Sequence, residues 1–200
     1  MNFLEAVMGQ PAIYRFWMAP FAEQKFAPIS AHNDLKRVRR ALDVGCGPGT
    51  NASHFAHTDY LGIDWNERYI RSAQQRYKGR FLVADAEKLT ALPGERFDFI
   101  MANSLLHHLD EPSTKRLLAH LSGLLTEDGH VHILELAIRP RLSVSRCLAL
   151  ADRGEFPRPK EEWSQIFSDI FHPVVFESFS VTGGGVELWN MVYFKGKAKT

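Results

Sequence analysis

Three aspartates stand at or just beyond the tips of short apolar segments in the first half of the chain: Asp43, Asp64 and Asp85. A carboxylate in such a place can accept hydrogen bonds from the hydroxyl and amine groups of a nucleoside-like ligand. Asp43 is followed by glycines at every second position of residues 45–49. Glycines let the backbone turn tightly and let a ligand lie against the main chain. These residue types and spacings predict a site that binds a nucleoside-like molecule.

The spacing of the glycines separates two classes of ligand. Dinucleotide-binding enzymes use G-x-G-x-x-G, in which the last glycine lets a helix pack on its strand. The spacing here is G-x-G-x-G, and Asp43-Val44-Gly45-Cys46-Gly47-Pro48-Gly49 resembles motif I of the class I S-adenosylmethionine-dependent methyltransferases, (D/E)-x-G-x-G-x-G. The resemblance implies S-adenosylmethionine as the cofactor and S-adenosylhomocysteine as its product. It also implies cofactor contacts from Asp43, Gly45, Cys46, Gly47 and Gly49.

The second aspartate closes the apolar segment 60–64 and lies 19 residues beyond Gly45. An acid at the tip of a second strand can accept two hydrogen bonds from a ribose diol. Asp64 and Trp65 resemble motif II of the same family, which implies that Asp64 binds the ribose and that Trp65 packs on the adenine. The alternative for Asp64 is a cap for the helix that starts near residue 66.

Two further segments complete the predicted cofactor site. Asp85 and Ala86 resemble the Asp-Ala pair with which the family meets adenine, the carboxylate accepting from the exocyclic amine and a backbone amide meeting the ring. A helix cap is the alternative for Asp85. Residues 103–109 resemble motif IV of small-molecule methyltransferases, where the chain passes the methionine end of the cofactor, and this implicates Asn103.

Two adjacent histidines in that last segment are tentative candidates for a catalytic base. The resemblance puts His107 and His108 near the methyl group, and imidazole has a suitable pKa for removing a proton. Scaffolding or contact with the acceptor is the alternative, because similar histidines occur in family members with unrelated chemistries. The family resemblance implies methyl transfer to a small molecule by in-line positioning. Transfer to oxygen is our first expectation, and transfer to carbon or nitrogen stays open.

Apolar segments and amphipathic stretches alternate along the chain in the manner of an α/β fold. Strands are predicted at 41–44, 60–64, 80–83, 96–102, 130–136, 172–181 and 186–194, and helices at 50–57, 66–77, 111–125, 142–152 and 161–171. The last two strands are joined across three glycines and predict an antiparallel hairpin. The resemblance implies a Rossmann-like three-layer α/β/α sandwich. Its seven-stranded, mostly parallel sheet has the order 3-2-1-4-5-7-6 with one antiparallel strand.

The chain divides into a leading segment and one domain. Residues 1–37 are predicted to form an N-terminal helical lid, with Tyr14 and Trp17 folding over the cofactor and substrate. Packing of these aromatic side chains on the sheet is the alternative. Residues 38–200 form the S-adenosylmethionine-binding domain, in which an insertion at about 137–160 is expected to set substrate specificity.

Basic residues outnumber acidic ones in this predicted specificity segment. Six stand in residues 138–160 against two acids; the six are Arg139, Arg141, Arg146, Arg153, Arg158 and Lys160. This excess suggests an anionic small-molecule acceptor, for which Arg139 is the candidate contact. A solvated face or a partner surface is the alternative.

Composition excludes several other classes of protein. The chain has 200 residues, which fit one domain, and its formal charge of +1 gives no general attraction to nucleic acid or membrane. Cys46 and Cys147 form no metal-type spacing and suit a reducing compartment. The sequence has no signal-peptide layout and no apolar run of about 18 residues. We therefore expect a cytoplasmic protein with no metal, no nucleic-acid partner and no membrane span, and its oligomeric state stays open.

Two rival classes stay open at this point. One is an NAD-dependent oxidoreductase, which the glycine spacing and the absence of a second, substrate-binding domain disfavour. The other is a non-catalytic protein that keeps the pocket for an adenosyl ligand or for a partner.

Overall fold

The computed structural model describes residues 19–86, 92, 94–139, 145–146 and 155–199. The predictions made for Tyr14 and Trp17 lie outside these ranges. Of the helix predicted over residues 142–152, only residues 145–146 are described, and both have helical backbone.

The seven strands form one sheet in the order β3-β2-β1-β4-β5-β7-β6. They are β1 (Arg40–Val44), β2 (Asp59–Asp64), β3 (Arg80–Val83), β4 (Phe97–Asn103), β5 (Leu125–Leu136), β6 (Phe171–Gly183) and β7 (Val186–Ala198). Neighbouring strands from β3 to β5 are parallel, and β7 runs antiparallel to both β5 and β6. The predicted fold class, strand order and single antiparallel strand are confirmed.

Among the described residues, four complete α-helices cover the sheet, and two of them begin with a side-chain cap. They are α1 (Ala22–His32), α2 (Glu67–Arg76), α3 (Glu111–Leu124) and α4 (Lys160–Ile170). The side chain of Asn66 accepts from the first N–H groups of α2, and that of Asp110 accepts from Ser113 at the start of α3. Such caps satisfy backbone donors that have no partner within the helix.

The helix predicted at residues 50–57 is a 3-10 helix over Thr50–Phe55. Hydrogen bonds between residues three apart begin inside the glycine loop, from the Gly49 N–H to the Cys46 carbonyl, and continue from the Ala52 N–H to the Gly49 carbonyl. The tighter 3-10 winding is therefore established before the segment begins.

Helix α1 lies within the segment 1–37 that was predicted to be helical, but no separate helix was predicted over its residues. Pro28 lies inside it and has no N–H to donate to the carbonyl of Gln24, which normally disfavours a helix interior. Packing compensates, because Phe26 and Ile29 are buried against the sheet. Part of the segment for which we predicted a lid therefore belongs to the core, and the lid role of the preceding residues stays a proposal.

Strand β5 begins at Leu125, five residues before its predicted start. Phe97 pairs with Leu125 and Phe99 pairs with His130, so residues 126–129 form an irregularity within the strand. A Cβ on Gly129 would lie 2.8 Å from the carbonyl oxygen of Phe97. Gly129 thus permits close approach of two strands.

Side chains alternate between the two faces of the sheet. On one face, which we call the α3–α4 face, the apolar core includes Leu42, Val44, Ile63, Ile133 and Trp163. On the other, the α1–α2 face, it includes Ala41, Tyr60, Met101, Leu134 and Leu136. The alternation puts Asp43, Asp64 and Asn103 on the α1–α2 face and Glu135 on the α3–α4 face.

Candidate active site

The loop after β1 brings the backbone close to its neighbours. Gly45 and Gly49 have φ values of 72° and 81°, which side chains with a Cβ rarely adopt. A Cβ on Gly45 would lie 3.1 Å from the side chain of Leu105, and one on Gly49 would lie 2.9 Å from the Cβ of Ala73 on α2. The glycines therefore let the loop fit between the end of β4 and helix α2.

Asp64 connects this loop to the start of α2. One carboxylate oxygen accepts from the Gly47 N–H at 2.9 Å, and the other accepts from the Asn66 N–H at 2.8 Å. Burial raises the pKa of Asp64, and these two hydrogen bonds partly oppose the rise. The residue that caps α2 is Asn66, so Asp64 holds the loop and the helix start in place while each oxygen keeps acceptor capacity for a ligand.

Asp43 is buried at the end of β1 with one oxygen satisfied and one not. Its Oδ2 accepts from the Tyr60 hydroxyl at 2.7 Å and from the Asn51 amide at 3.2 Å. In the described part of the chain, Oδ1 of Asp43 is the buried side-chain oxygen without a hydrogen-bond partner. Burial raises the pKa of Asp43 to about 6, opposed by the bonds from Tyr60 and Asn51 and assisted by the charge of Asp64.

An unpartnered buried acceptor costs about 1–3 kcal/mol unless a ligand supplies the donor. S-Adenosylmethionine carries a positive charge and several donors, so the acceptors Asp43 and Asp64 fit it. Trp65 beside them is 76% exposed, which is unusual for so large an apolar side chain and suits a surface that a flat ring covers.

The other predicted cofactor residues lie at the same edge of the sheet. Asp85 is exposed and Ala86 is half-buried just beyond β3, and the Ala84 N–H ties this strand end to the Asp64 carbonyl. Asn103, also half-buried, ends β4. Because the carboxyl ends of parallel strands share one edge, the fold brings these residues to the side of the sheet that bears the glycine loop.

The two candidate histidines occupy different environments. His108 is exposed, whereas the ring of His107 is buried and donates from Nδ1 to Glu135. Glu135 also accepts from the N–H groups of Leu106 at 2.7 Å and Leu136 at 2.8 Å. Burial of Glu135 acts to raise its pKa, but the charge and hydrogen bond of His107 and the two backbone bonds outweigh it and lower the pKa. These contacts fit the scaffolding alternative for His107.

Sequence reasoning missed two buried charged residues near this edge, Lys25 and Glu135. It also did not anticipate that Arg158, one of the basic residues of the specificity segment, is buried. The one signal in the sequence was Glu135, an acid within the otherwise apolar end of β5, which indicates a buried charge. Arg158 donates to the carbonyls of Leu106 at 3.4 Å and Leu109 at 2.9 Å. It also pairs with Glu162 at 3.1 Å. Arg158 therefore has a structural role and does not add to the charge that the specificity segment offers an acceptor.

Arg139 is the predicted acceptor contact. Its guanidinium donates to Glu187 at 2.9 Å and to the side-chain oxygen of Asn190 at 3.1 Å, and about half of its side chain is exposed. Asn190 is fixed in turn by donating its amide to the Ala137 carbonyl. Arg139 is thus oriented from β7 at the end of β5.

Comparison with known proteins finds similarity to methyltransferases. Residues 41–129 match the family model described as a methyltransferase domain. The chain is 28% identical to a trans-aconitate 2-methyltransferase of Delftia acidovorans, over 92% of this chain and 72% of that protein. It is 32% identical to a protein of the same name from Methylobacterium radiotolerans, over 60% of this chain but only 46% of that protein.

The fold has solved counterparts. A crystal structure of an S-adenosylmethionine-dependent methyltransferase from Methanosarcina mazei superposes with a TM-score of 0.70 at 20% identity, over 86% of this chain and 98% of that one. Together with the glycine loop and the acids at the strand tips, these matches support a class I S-adenosylmethionine-dependent methyltransferase with S-adenosylmethionine as its cofactor.

Proposed function

We propose that this enzyme transfers a methyl group to an oxygen atom of a small anionic acceptor, a carboxylic acid. The observation that carries the proposal is that His107, a candidate base, is buried and held by Glu135, which suits an acceptor that needs no base. Arg139 presents a half-exposed guanidinium at the end of β5, where it also pairs with Glu187. The names of the two relatives support the proposal, because trans-aconitate is a tricarboxylic acid.

The cofactor residues are assigned as follows. Asp64 accepts from the ribose hydroxyls, Trp65 packs on the adenine and Asp85 accepts from its amine. Oδ1 of Asp43 accepts from a donor of the cofactor, and Asn103 lines the methionine end. When bound, S-adenosylmethionine supplies a methyl group activated by its sulfonium sulfur.

A carboxylate acceptor makes a catalytic base unnecessary. Its pKa of about 4 leaves it ionised at pH 7, so the enzyme has only to orient it and exclude water. Arg139, which is half-exposed and also pairs with Glu187, is the side chain that we assign to orienting the acceptor. His107 then acts as a scaffold that holds the residues after β4, through Glu135, and not as a base.

The test is product analysis with isotopically labelled cofactor and matched acceptors: a polycarboxylic acid, a phenol and an amine. We expect label in a methyl ester that mild alkali hydrolyses, and none with the Asp64→Ala variant. Label in an alkali-stable N-methyl or C-methyl product would overturn the proposal. Asp98→Ala is the control, since Asp98 also accepts from two backbone N–H groups but at the other edge of the sheet.

We also infer that residues 1–18 act as the lid. Helix α1 begins at the edge that carries the candidate site, because Lys25 on its first turns contacts Ser104 just after β4. The described part of the chain therefore begins near this edge. Trp17→Ala is expected to raise the KM for the acceptor with little change in cofactor affinity, and an unchanged KM would contradict the lid role. A cytoplasmic location likewise stays a proposal, and no described helix is long and apolar enough to cross a membrane.

A further inference from the structure

Tyr60 is a buried tyrosine whose hydroxyl contacts the first aspartate of the candidate site. It lies on β2 with 1% of its surface exposed, and its hydroxyl donates to Oδ2 of Asp43 at 2.7 Å. The ring packs beside Phe55 and Phe81, whose ring centres are 5.7 Å and 5.6 Å away. A phenylalanine would make the same ring contacts, so the hydroxyl is the part of this side chain that matters to Asp43.

Two donors converge on the same oxygen of Asp43. The Asn51 amide, from the 3-10 helix after the glycine loop, also donates to Oδ2, at 3.2 Å. A carboxylate oxygen has two lone-pair sites, and an amide NH2 group can only donate, so Oδ2 is a fully occupied acceptor. A proton bound by Asp43 therefore resides on Oδ1, which has no hydrogen-bond partner among the described residues.

Asp43 consequently has two forms in the folded protein, and each has a cost. With the proton, Oδ1 carries a buried donor that has no acceptor; without it, the carboxylate is a buried negative charge. Burial favours the protonated form, whereas hydrogen bonds from Tyr60 and Asn51 favour the carboxylate. A cation bound at the adjoining loop favours the carboxylate too. The two donors and a cationic ligand therefore act in the same direction.

The other titratable groups that face Asp43 do not supply this stabilisation. Asp64, at the end of β2, raises the pKa of Asp43 by its charge. The Cys46 thiol in the loop stays neutral, because burial and the charges of the two aspartates raise its pKa. Burial and the charge of Asp43 also raise the pKa of Tyr60, so its hydroxyl stays a donor. Of the two donors, Tyr60 makes the shorter hydrogen bond.

We infer that Tyr60 is a positioning residue for cofactor binding: its hydroxyl fixes Oδ2 of Asp43 and stabilises the carboxylate form, which balances the positive charge of S-adenosylmethionine. Asn51 assists from the 3-10 helix. The inference rests on the assignment of Asp43 to the cofactor in the proposed function, and it does not depend on the identity of the acceptor.

The experiment measures the affinity for S-adenosylmethionine by calorimetry between pH 5 and pH 8. Without the hydroxyl, Asp43 ionises at higher pH, so we expect the midpoint of the affinity profile of Tyr60→Phe to move up by about one pH unit. Affinity should then fall about fivefold near pH 6 and less than about twofold at pH 8. Tyr193→Phe is the matched control. It removes the hydroxyl of a tyrosine buried on the same face, which bonds to His132 and Asn33, and its profile should equal that of the wild type.

A midpoint that stays in place in Tyr60→Phe overturns the inference, whether or not the variant is less stable. Asn51→Ala should move the midpoint in the same direction, and it replaces Tyr60→Phe if that variant does not fold. If Asp43→Asn reduces the pH step but neither of these variants shifts it, Asp43 keeps its assignment and the inference fails. If Asp43→Asn leaves the profile unchanged, the assignment and the inference fail together. Failure of the ester-forming reaction leaves a shifted midpoint, and thus the inference, standing.

Discussion

The two faces of the sheet differ at the carboxyl edge, although both bury charged groups there. On the α3–α4 face, Glu135 accepts from His107 and from two backbone N–H groups. On the α1–α2 face, Asp43 keeps an unpartnered oxygen and Trp65 is largely exposed. A network with its hydrogen bonds made stabilises one conformation, whereas a set with acceptors and apolar surface left over is suited to a ligand.

The largest expected effect is on the free energy of unfolding, when the hydrogen-bond network of Glu135 is broken. Glu135→Ala leaves His107 and the N–H groups of Leu106 and Leu136 without their acceptor, and loss of one partner of a buried pair costs about 3–5 kcal/mol. Urea unfolding of the variant should show this loss. The exposed pair His32–Glu177 is the control, and Glu177→Ala should cost less than about 1 kcal/mol. Equal losses of unfolding free energy in Glu135→Ala and Glu177→Ala would mean that the buried network stabilises the fold no more than an exposed ion pair does.

The next largest effect concerns ligand binding on the α1–α2 face. Asp64→Ala removes an acceptor from the Gly47 and Asn66 N–H groups and from the proposed ribose contact. Hydrogen bonds to a charged group contribute about 1.5–3 kcal/mol, so affinity for S-adenosylhomocysteine should fall roughly 100-fold in calorimetry. Asp98→Ala, which frees two backbone N–H groups at the other edge, should leave that affinity unchanged. A loss of similar size in both variants would mean that the effect is a general loosening of the sheet.

The raised pKa of Asp43 predicts opposite effects of pH on the stability of the protein and on its affinity for the cofactor. Its pKa is about 6 in the folded protein against 3.8 for an unperturbed aspartate. The folded state therefore binds this proton more tightly, and the contribution of Asp43 to stability falls as pH rises from about 4 to about 6. Binding of a cationic cofactor favours the ionised carboxylate, so affinity should rise over the same range.

Titration of S-adenosylmethionine affinity between pH 5 and pH 8 tests this dependence. We expect weaker binding below pH 6 and a smaller step in Asp43→Asn, since Asp64, whose pKa is also raised, contributes the remainder. An identical pH profile in wild type and Asp43→Asn would exclude Asp43 from cofactor binding.

The smallest effect is expected at Trp65. Because 76% of this residue is exposed, Trp65→Ala should change the free energy of unfolding by less than about 0.5 kcal/mol. Lost packing on the adenine should weaken S-adenosylhomocysteine binding about five- to tenfold. Val186→Ala, at another exposed apolar residue, should alter neither quantity. An unchanged affinity in Trp65→Ala would assign the indole to some other contact.

The sequence by itself determined the sheet, the loop and the acids at the strand tips. These features depend on local pattern: glycines that permit positive φ at Gly45 and Gly49, and apolar segments of strand length. Parallel strands end at one edge, so Asp43 and Asp64 could be expected to converge there. The same local logic failed at Pro28 and at residues 126–129, where packing of α1 and close approach of β4 and β5 overrode the usual meaning of proline and glycine.

Only the tertiary structure decided which charged groups have all their hydrogen bonds made within the protein and which keep capacity for a ligand. His107 and His108 are neighbours in sequence, yet one ring is buried on Glu135, 28 residues away, and the other is exposed. Lys25 reaches Ser104 across 79 residues of sequence. The free energy of a buried charge depends on partners brought by distant segments, and that information is not contained in local spacing.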